Sequence, residues 1–537
     1  MNGDGSPAGA ALVDPVGDTP GAREIGFDKS RHANCSAILF DNLDRAPDRP
    51  AVIGPAGTLS YRALCAEAAR WGNAFLGFGL ERGARIALFL DDTPAYPAVF
   101  FGAVRAGFVP VLLNTASNAD LLAFYLADSG ARLAVCEAAF ADRFTAGTLA
   151  ASAIERVVVN GAPPDGAGSL IEATAFLDGQ PQTLDCADTG PDDMAFWMYS
   201  SGSTGRPKGI VHLHHDMAYT QKSYASAILR LEPADICFSV PKIFFAYGFG
   251  NAFTFPFAVG ATTLLMPGRP DPDRVLDVIE TYRPSVFFGL PTLYTALCRA
   301  TGVETRDLSC LRLAISAAET LSHDIHAAWK ALTGLSAVEG LGSTEILHIY
   351  LSNDEAGQRP GSAGRRVPGY EIELRDAAGR RTGPGEEGVM WVRGTSSAPC
   401  YWNRPDKTGE TMRGDWIYTG DRFVERDGFF YFQGRADDLI KVSGQWVWPL
   451  EVERCLNEHP HVHECAVVAH QLADRRMTLR AVICLRAGIA GDDEARLLQE
   501  HVKAALAPHK YPRIVEFVAE LPKTGTGKLD RQALAGV

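Results

Sequence analysis

Blocks of helix-period and strand-period hydrophobicity alternate along most of the chain. Ser60 can cap a helix in which Leu64, Ala68, Trp71 and Phe75 share one face, with Gly77 and Gly79 ending it. Arg85-Ile-Ala-Leu-Phe-Leu90 reads as a buried strand. A helix around Tyr96 to Arg105 follows, ending at Gly107, and then a strand from Val109 to Leu113. Strand, helix, strand in this rhythm predicts largely parallel sheets covered by helices. Near Gly428 the rhythm changes. Phe429-Phe-Tyr-Phe432 is a short strand, and beyond it lie a helix near Glu451, strands at Ala466 to Ala469 and Arg480 to Leu485, and a helix from Glu494 to Leu506. The expected fold class is α/β: a large N-terminal domain of parallel or mixed sheets covered by helices, then a small α+β C-terminal domain.

Residues 1–24, rich in Gly, Ala, Pro and Asp, read as a disordered tail. The N-terminal domain is expected over 25–434 and the C-terminal domain over 435–537, divided at Arg435-Ala-Asp-Asp438. A chain of 537 residues has room for more than one domain. Its net charge of −13 argues against nucleic acid as a partner. The longest apolar runs, such as Phe255 to Met266, are too short for a membrane span. The start Met-Asn-Gly-Asp-Gly-Ser has neither a basic nor an apolar segment, so no signal peptide is expected. Eleven scattered cysteines without a C-x-x-C pair suit a reducing compartment, and cytoplasm is the expectation. Monomer and homodimer both stay open.

The densest chemistry lies after the apolar run Met194-Ala-Phe-Trp-Met-Tyr199. Ser200 to Gly209 holds three glycines, four hydroxyl residues and Lys208. Glycines let backbone N–H groups approach phosphate oxygens, hydroxyls add donors, and the lysine adds charge. The spacing is not that of a Walker A loop. His212, His214 and His215 follow, and His459, His461 and His463 alternate further on. No cysteine or carboxylate completes a zinc-like pattern at either set, so both read as strand-edge or loop histidines.

Ser200 to Gly209 resembles the phosphate-binding signature of the adenylate-forming superfamily, and the other signatures of that family appear in order from about residue 30 onward. The resemblance assigns nucleotide contacts to Ser200, Ser201, Gly202, Ser203, Thr204 and Gly205. Gly340-Leu-Gly-Ser-Thr-Glu345 resembles the second signature. It gives Thr344 a phosphate contact and Glu345, with Thr204, a share in holding Mg²⁺; a carboxylate beside a triphosphate calls for a cation between them. Ser316, Ala317, Ala318 and Glu319, with Glu339 and Gly340, match the adenine- and ribose-lining segments. Asp421, in Tyr418-Thr-Gly-Asp421, and Arg435 would meet the ribose. Lys528, in Pro522-Lys-Thr-Gly-Thr-Gly-Lys528, would stabilise charge as the carboxylate attacks the α-phosphate. Asp437 matches the hinge about which the C-terminal domain rotates, and Gly444 the glycine of the pantetheine tunnel. The cofactors and co-substrates implied are ATP, Mg²⁺ and coenzyme A, and Lys528, Thr344, Glu345 and Lys208 form the implied catalytic set.

Lys242-Ile-Phe-Phe-Ala-Tyr-Gly-Phe-Gly-Asn251 contains no carboxylate. An amino-acid ammonium would find no charge partner there. This stretch and Gly342-Ser-Thr-Glu-Ile-Leu-His-Ile349 resemble the benzoate–CoA ligase subgroup. Phe245, Ala246, Tyr247, Gly342, His348 and Ile349 would line an aryl pocket. Alternatively, Phe245 is core packing, His348 a structural histidine inside a helix, and Glu345 a charge at a helix N-terminus. The expected activity is formation of a benzoyl- or hydroxybenzoyl-type CoA thioester. The alternatives are an enzyme loading a carrier protein, a medium-chain or aminobenzoate ligase, and a nucleotide-binding oxidoreductase, although no complete dinucleotide fingerprint is present.

Overall fold

The computed structural model describes residues 19–164, 170–200, 206–317, 321–354, 357–359, 361–436, 438, 440–442, 445–472, 476–486, 493–507, 509–522 and 529–535. The chain forms two compact units, residues 1–372 with 392–418, and residues 373–391 with 419–537. The second unit therefore takes in a segment that precedes residue 419 by an excursion through the first, as well as everything after residue 435.

Two large sheets organise the first unit. One runs in the order Leu170–Glu172, Arg156–Asn160, Leu133–Glu137, Arg85–Phe89, Val109–Leu112, Met194–Ser200 and Lys208–Leu213. Every pairing in it is parallel except the last, which is antiparallel. The other runs Arg365–Arg366, Ile349–Ser352, Val338–Gly342, Leu313–Ala317, Val286–Gly289, Ile236–Ser239, Thr262–Leu264, Pro50–Ile53 and Leu59–Ser60. Its middle is parallel and both ends are antiparallel. The mixed α/β class expected from the hydrophobic rhythm is what forms.

The helix Tyr61–Gly77 shows why. Ser60 accepts the Ala63 N–H through its hydroxyl, closing the first turn. Leu64, Ala68, Trp71 and Phe75 are all buried beneath it. The Ala95–Arg105 helix and the Val109–Leu112 strand also stand where the pattern put them. Residues 19–24 do not belong to a tail. Thr19 caps the helix Pro20–Glu24, whose proline occupies a position that needs no N–H, and Glu24 pairs with Arg366 at 2.7 Å. Residues 1–18 lie outside the described residues.

The second unit contains an antiparallel pair, Val462–Gln471 with Met477–Leu485, extended in parallel by Ile514–Phe517. The helices Pro449–Asn457 and Glu494–Ala505 supply Val452, Leu456, Leu498 and Val502 to its core. The eleven cysteines are present as thiols; eight are buried, Cys298 and Cys310 are half-buried, and Cys186 is exposed. Among the described residues no helix is long and apolar enough to cross a membrane.

Candidate functional site

The Ser200 to Gly209 stretch is mounted on an antiparallel strand pair in which Ser200 lies opposite Lys208. The strand leading into it is held by Tyr199, which donates to Asp128 Oδ2 at 2.7 Å and packs on Tyr125 with ring centroids 4.5 Å apart. Ser201, Gly202, Ser203, Thr204 and Gly205 lie outside the described residues. Lys208 is half-buried and sets its ammonium 4.1 Å from the centroid of the Tyr401 ring. The Tyr401 hydroxyl donates to Glu345 Oε1 at 2.7 Å. Trp402 N–H donates to Gly209 O at 2.8 Å, which fixes this segment along the strand edge. The cation of one motif and the carboxylate of another, more than a hundred residues away, thus meet on one aromatic ring. Tyr401 belongs to no motif, and the sequence carries no signal that would have found it.

Thr344 and Glu345 occupy a short 3-10 turn, Thr344–Ile346, and Glu345 is half-buried there; it does not begin an α-helix. His212 reaches this turn from the strand after the loop. Its Nε2 donates to the Thr344 carbonyl at 2.9 Å, and its Nδ1 lies 2.9 Å from Asp216 Oδ2. His215 Nδ1 lies 3.0 Å from Asp216 Oδ1. Burial works against an ionised Asp216, but His215 and His212 outweigh it and hold the carboxyl below its ordinary value. His212 is therefore a strut between two motifs. The histidines stand out in the sequence, but nothing local marks the partner of His212 at residue 344.

Ser316 and Ala317 end a strand whose neighbour carries Glu339 and Gly340, in the register Ser316 with Glu339 and Ala317 with Gly340. Glu339 is buried and accepts the Leu321 N–H at 2.9 Å. Burial pushes its carboxyl up to about 7, against the opposing effect of that hydrogen bond. The Ser316 hydroxyl is buried with no hydrogen-bond partner among the described residues. Ala318 and Glu319 lie outside them.

The residues expected to line the acid pocket come together. Lys242 is engaged at the start of the segment by Asp91 at 2.9 Å, leaving an apolar and aromatic run behind it. Phe245 is half-buried and precedes the turn Ala246–Phe249. The Tyr247 hydroxyl donates to Ile315 O at 3.4 Å, and its ring centroid is 5.7 Å from that of His348. His348 is not in a helix. Leu347, with φ of +73°, turns the chain from the 3-10 turn into the strand Ile349–Ser352, and His348 sits between them. A leucine rarely adopts that conformation, and packing imposes it here: Leu347 is 1% exposed. Gly342 and Gly250 make room. A Cβ on Gly342 would lie 2.7 Å from the His348 carbonyl carbon, and one on Gly250 would lie 2.6 Å from its Nε2. Burial pushes the His348 imidazole down to about 3, so it is neutral.

Within the second unit, Asp421 and Arg435 stand opposite each other on adjacent strands and pair at 3.2 Å. Asp437, Gly444 and Lys528 lie outside the described residues. His461 Nδ1 lies 3.1 Å from Glu494, and its ring stacks edgewise on His459 at 4.9 Å.

Residues 39–402 match the AMP-binding enzyme family, and residues 451–528 match the AMP-binding enzyme C-terminal domain. The chain is 40% identical to a benzoate–CoA ligase of Thauera aromatica, over 89% of this chain and 91% of that one. It is 39% identical to a 4-hydroxybenzoate–CoA/benzoate–CoA ligase of Rhodopseudomonas palustris, over 90% of each. Two solved structures are similar throughout. One is the anthranilate CoA ligase AuaEII in complex with anthranoyl-AMP, with a TM-score of 0.88 and 35% identity over 95% of this chain and 98% of that one. The other is a benzoate CoA ligase from Burkholderia xenovorans LB400, with a TM-score of 0.85 and 37% identity over 93% and 99%. With its fold, its motifs and these relatives in agreement, the chain belongs to the AMP-binding enzyme family and, within it, to the benzoate–CoA ligase group.

Proposed function

We propose that the protein joins an aromatic carboxylic acid to coenzyme A through an acyl-adenylate, as an AMP-forming acid–thiol ligase. A carboxylate oxygen of the acid attacks the α-phosphorus of ATP in line, and the bond to the bridging oxygen of pyrophosphate breaks. The thiol of coenzyme A then attacks the carbonyl carbon of the mixed anhydride, its proton is lost, and AMP leaves. The observation that carries this reading is the meeting of Lys208 and Glu345 on Tyr401. A lysine suits the polyphosphate, and a carboxylate at the same place suits a cation bound to it.

Magnesium fits that carboxylate. It keeps several waters and takes one or two carboxylates together with phosphate oxygens, so a single anchored Glu345 is a sufficient donor from the described residues. When bound, the ion neutralises charge on the polyphosphate. Glu345 holds the position, Thr344 offers a hydroxyl, and His212 keeps the turn that carries both in place. Ser316, Ala317, Glu339 and Gly340 are assigned to the adenine and ribose, and Asp421 and Arg435 to the ribose. Thr204 joins Glu345 at the metal, Asp437 serves as hinge, Gly444 borders the pantetheine, and Lys528 serves adenylation.

The acid is benzoate or a hydroxybenzoate. Support comes from the apolar wall at Phe245, Ala246 and Ile349 and from Tyr247 beside neutral His348. AMP release with coenzyme A, measured on benzoate, the three hydroxybenzoates, 2-aminobenzoate and hexanoate, tests it. The aryl acids are expected to lead, and a wide margin in favour of hexanoate ends the reading. Turnover with coenzyme A and no protein acceptor distinguishes a ligase from an enzyme that loads a carrier. A Tyr401→Phe variant keeps the ring under Lys208 but loses the hydrogen bond to Glu345. We expect kcat/KM to fall roughly tenfold, with a higher Mg²⁺ requirement, since hydrogen bonds to charged groups are worth at least that. An unchanged Mg²⁺ titration would remove Tyr401 from the site. The many buried thiols, scattered singly along the chain, suit a reducing compartment such as the cytoplasm.

A further inference from the structure

The acid pocket contains more polar chemistry than an unsubstituted ring can use. Tyr224 and Asn251 are fully buried and His348 is 2% exposed. The Tyr224 hydroxyl, both amide atoms of Asn251 and both ring nitrogens of His348 have no hydrogen-bond partner of normal geometry among the described residues; their polar neighbours, Ser352 for Tyr224, the Tyr247 hydroxyl for Asn251 and the Tyr247 backbone for His348, are only loosely placed. Buried polar atoms are nearly always partnered, so five in one place call for a missing partner. They are close together. The His348 ring centroid lies 5.2 Å from Tyr224, 5.7 Å from Tyr247 and 4.5 Å from Phe255. Asn251 follows Gly250, whose backbone lies directly against the His348 ring, and its amide acts on the Tyr247 hydroxyl.

A second observation is independent of hydrogen bonding. Tyr224 and Asn251 stand on two π-helical segments, Gln221–Leu229 and Gly250–Thr254. A π turn is rare, and it occurs mostly at functional sites. Two of them supply the two unpartnered side chains that accompany His348.

Resting on the aryl-acid reading above, we propose that Tyr224, Asn251 and His348 form a polar cell of the acid pocket that receives a hydrogen-bonding ring substituent, a phenolic hydroxyl or an arylamine, and that Asn251 sets the preference for it. The amide offers two donors and an acceptor, the neutral imidazole one of each, and the phenol a donor. That set matches a group that both donates and accepts. None of the three is charged, so a second carboxylate or an alkylammonium on the ring would enter without a counter-charge.

The test compares kcat/KM for benzoate, the three hydroxybenzoates and 2-aminobenzoate in the full-length protein and in the variants Asn251→Leu and Tyr224→Phe. The intact protein is expected to prefer at least one substituted acid over benzoate by about tenfold or more, because a site built to hydrogen-bond a group discriminates against its absence. Each variant is expected to lower the ratio of kcat/KM for that acid to kcat/KM for benzoate by about tenfold, the worth of one hydrogen bond, whatever it costs benzoate itself. An equal loss on both acids means that the residues are only structural, and it overturns the proposal, as does a benzoate preference in the intact protein. Should Asn251→Leu be insoluble, Tyr224→Phe removes a single hydroxyl and decides alone. If the intact protein turns over none of the aryl acids, the aryl-acid reading has itself failed, and that is visible before any variant is made.

Discussion

Replacing Lys528 with alanine is expected to slow adenylate formation by about 10²–10³-fold, the usual cost of losing one charge-stabilising donor from a transition state. Thioester formation from a synthetic aryl-adenylate and coenzyme A should stay close to that of the intact protein, because no phosphoanhydride breaks in that step. ATP–pyrophosphate exchange measures the first reaction and thioester absorbance the second. The lysine lies outside the described residues, but its flanks are firmly held. Asp530 N–H donates to Pro522 O at 2.8 Å. Arg531 grips the buried carboxylate of Glu453 at 2.7 and 2.8 Å and donates to Val467 O at 3.0 Å. A truncation between such anchors removes a charge and leaves the unit folded. Normal exchange in the variant would mean that Lys528 has no part in adenylation.

The second large effect is steric. Gly250→Ala is expected to lower kcat/KM for an aryl acid by about 10²-fold, the scale of a 1 Å misplacement of a reacting group. Its new methyl would lie 2.6 Å from His348 Nε2. Phe255 stands edge-on against the imidazole at 4.5 Å and blocks its retreat on that side. The ring is then pushed into the pocket proposed for the acid. The KM for ATP should change little, because the new methyl meets His348 and Phe255 first and none of the residues proposed for the nucleotide. A variant in which both substrates weaken equally, or in which melting alone explains the loss, would contradict this account.

Local chemistry was readable in the chain, and tertiary chemistry was not. The helix Tyr61–Gly77 was legible because its cap and its apolar face are written within one segment. The same holds for the apolar run Met194 to Tyr199, which leads into the Ser200 to Gly209 stretch as the strand Met194–Ser200. Tyr401 was not legible, because its meaning lies in Glu345, 56 residues earlier, and in Lys208. The turn at His348 went against local preference: an apolar leucine takes a left-handed backbone because the surrounding core holds it there. The π-helical segments left no signature either. Over five to nine residues, their apolar spacing cannot be told from that of an α-helix. At Pro20–Glu24 composition pointed to disorder, while an ion pair with Arg366 supplied order from far along the chain.

The distribution of thiols has a practical side. Only the thiolate reacts, and burial raises the Cys65 and Cys136 groups to about 12 and Cys400 to about 11, with Cys298 and Cys310 also displaced upward. Cys186 alone is exposed. Under native conditions the folded protein therefore presents one open attachment point for a maleimide dye, with two half-buried thiols of raised pKa and eight sulfurs shielded by packing rather than by mutagenesis. Label taken up beyond three equivalents then counts molecules that have opened.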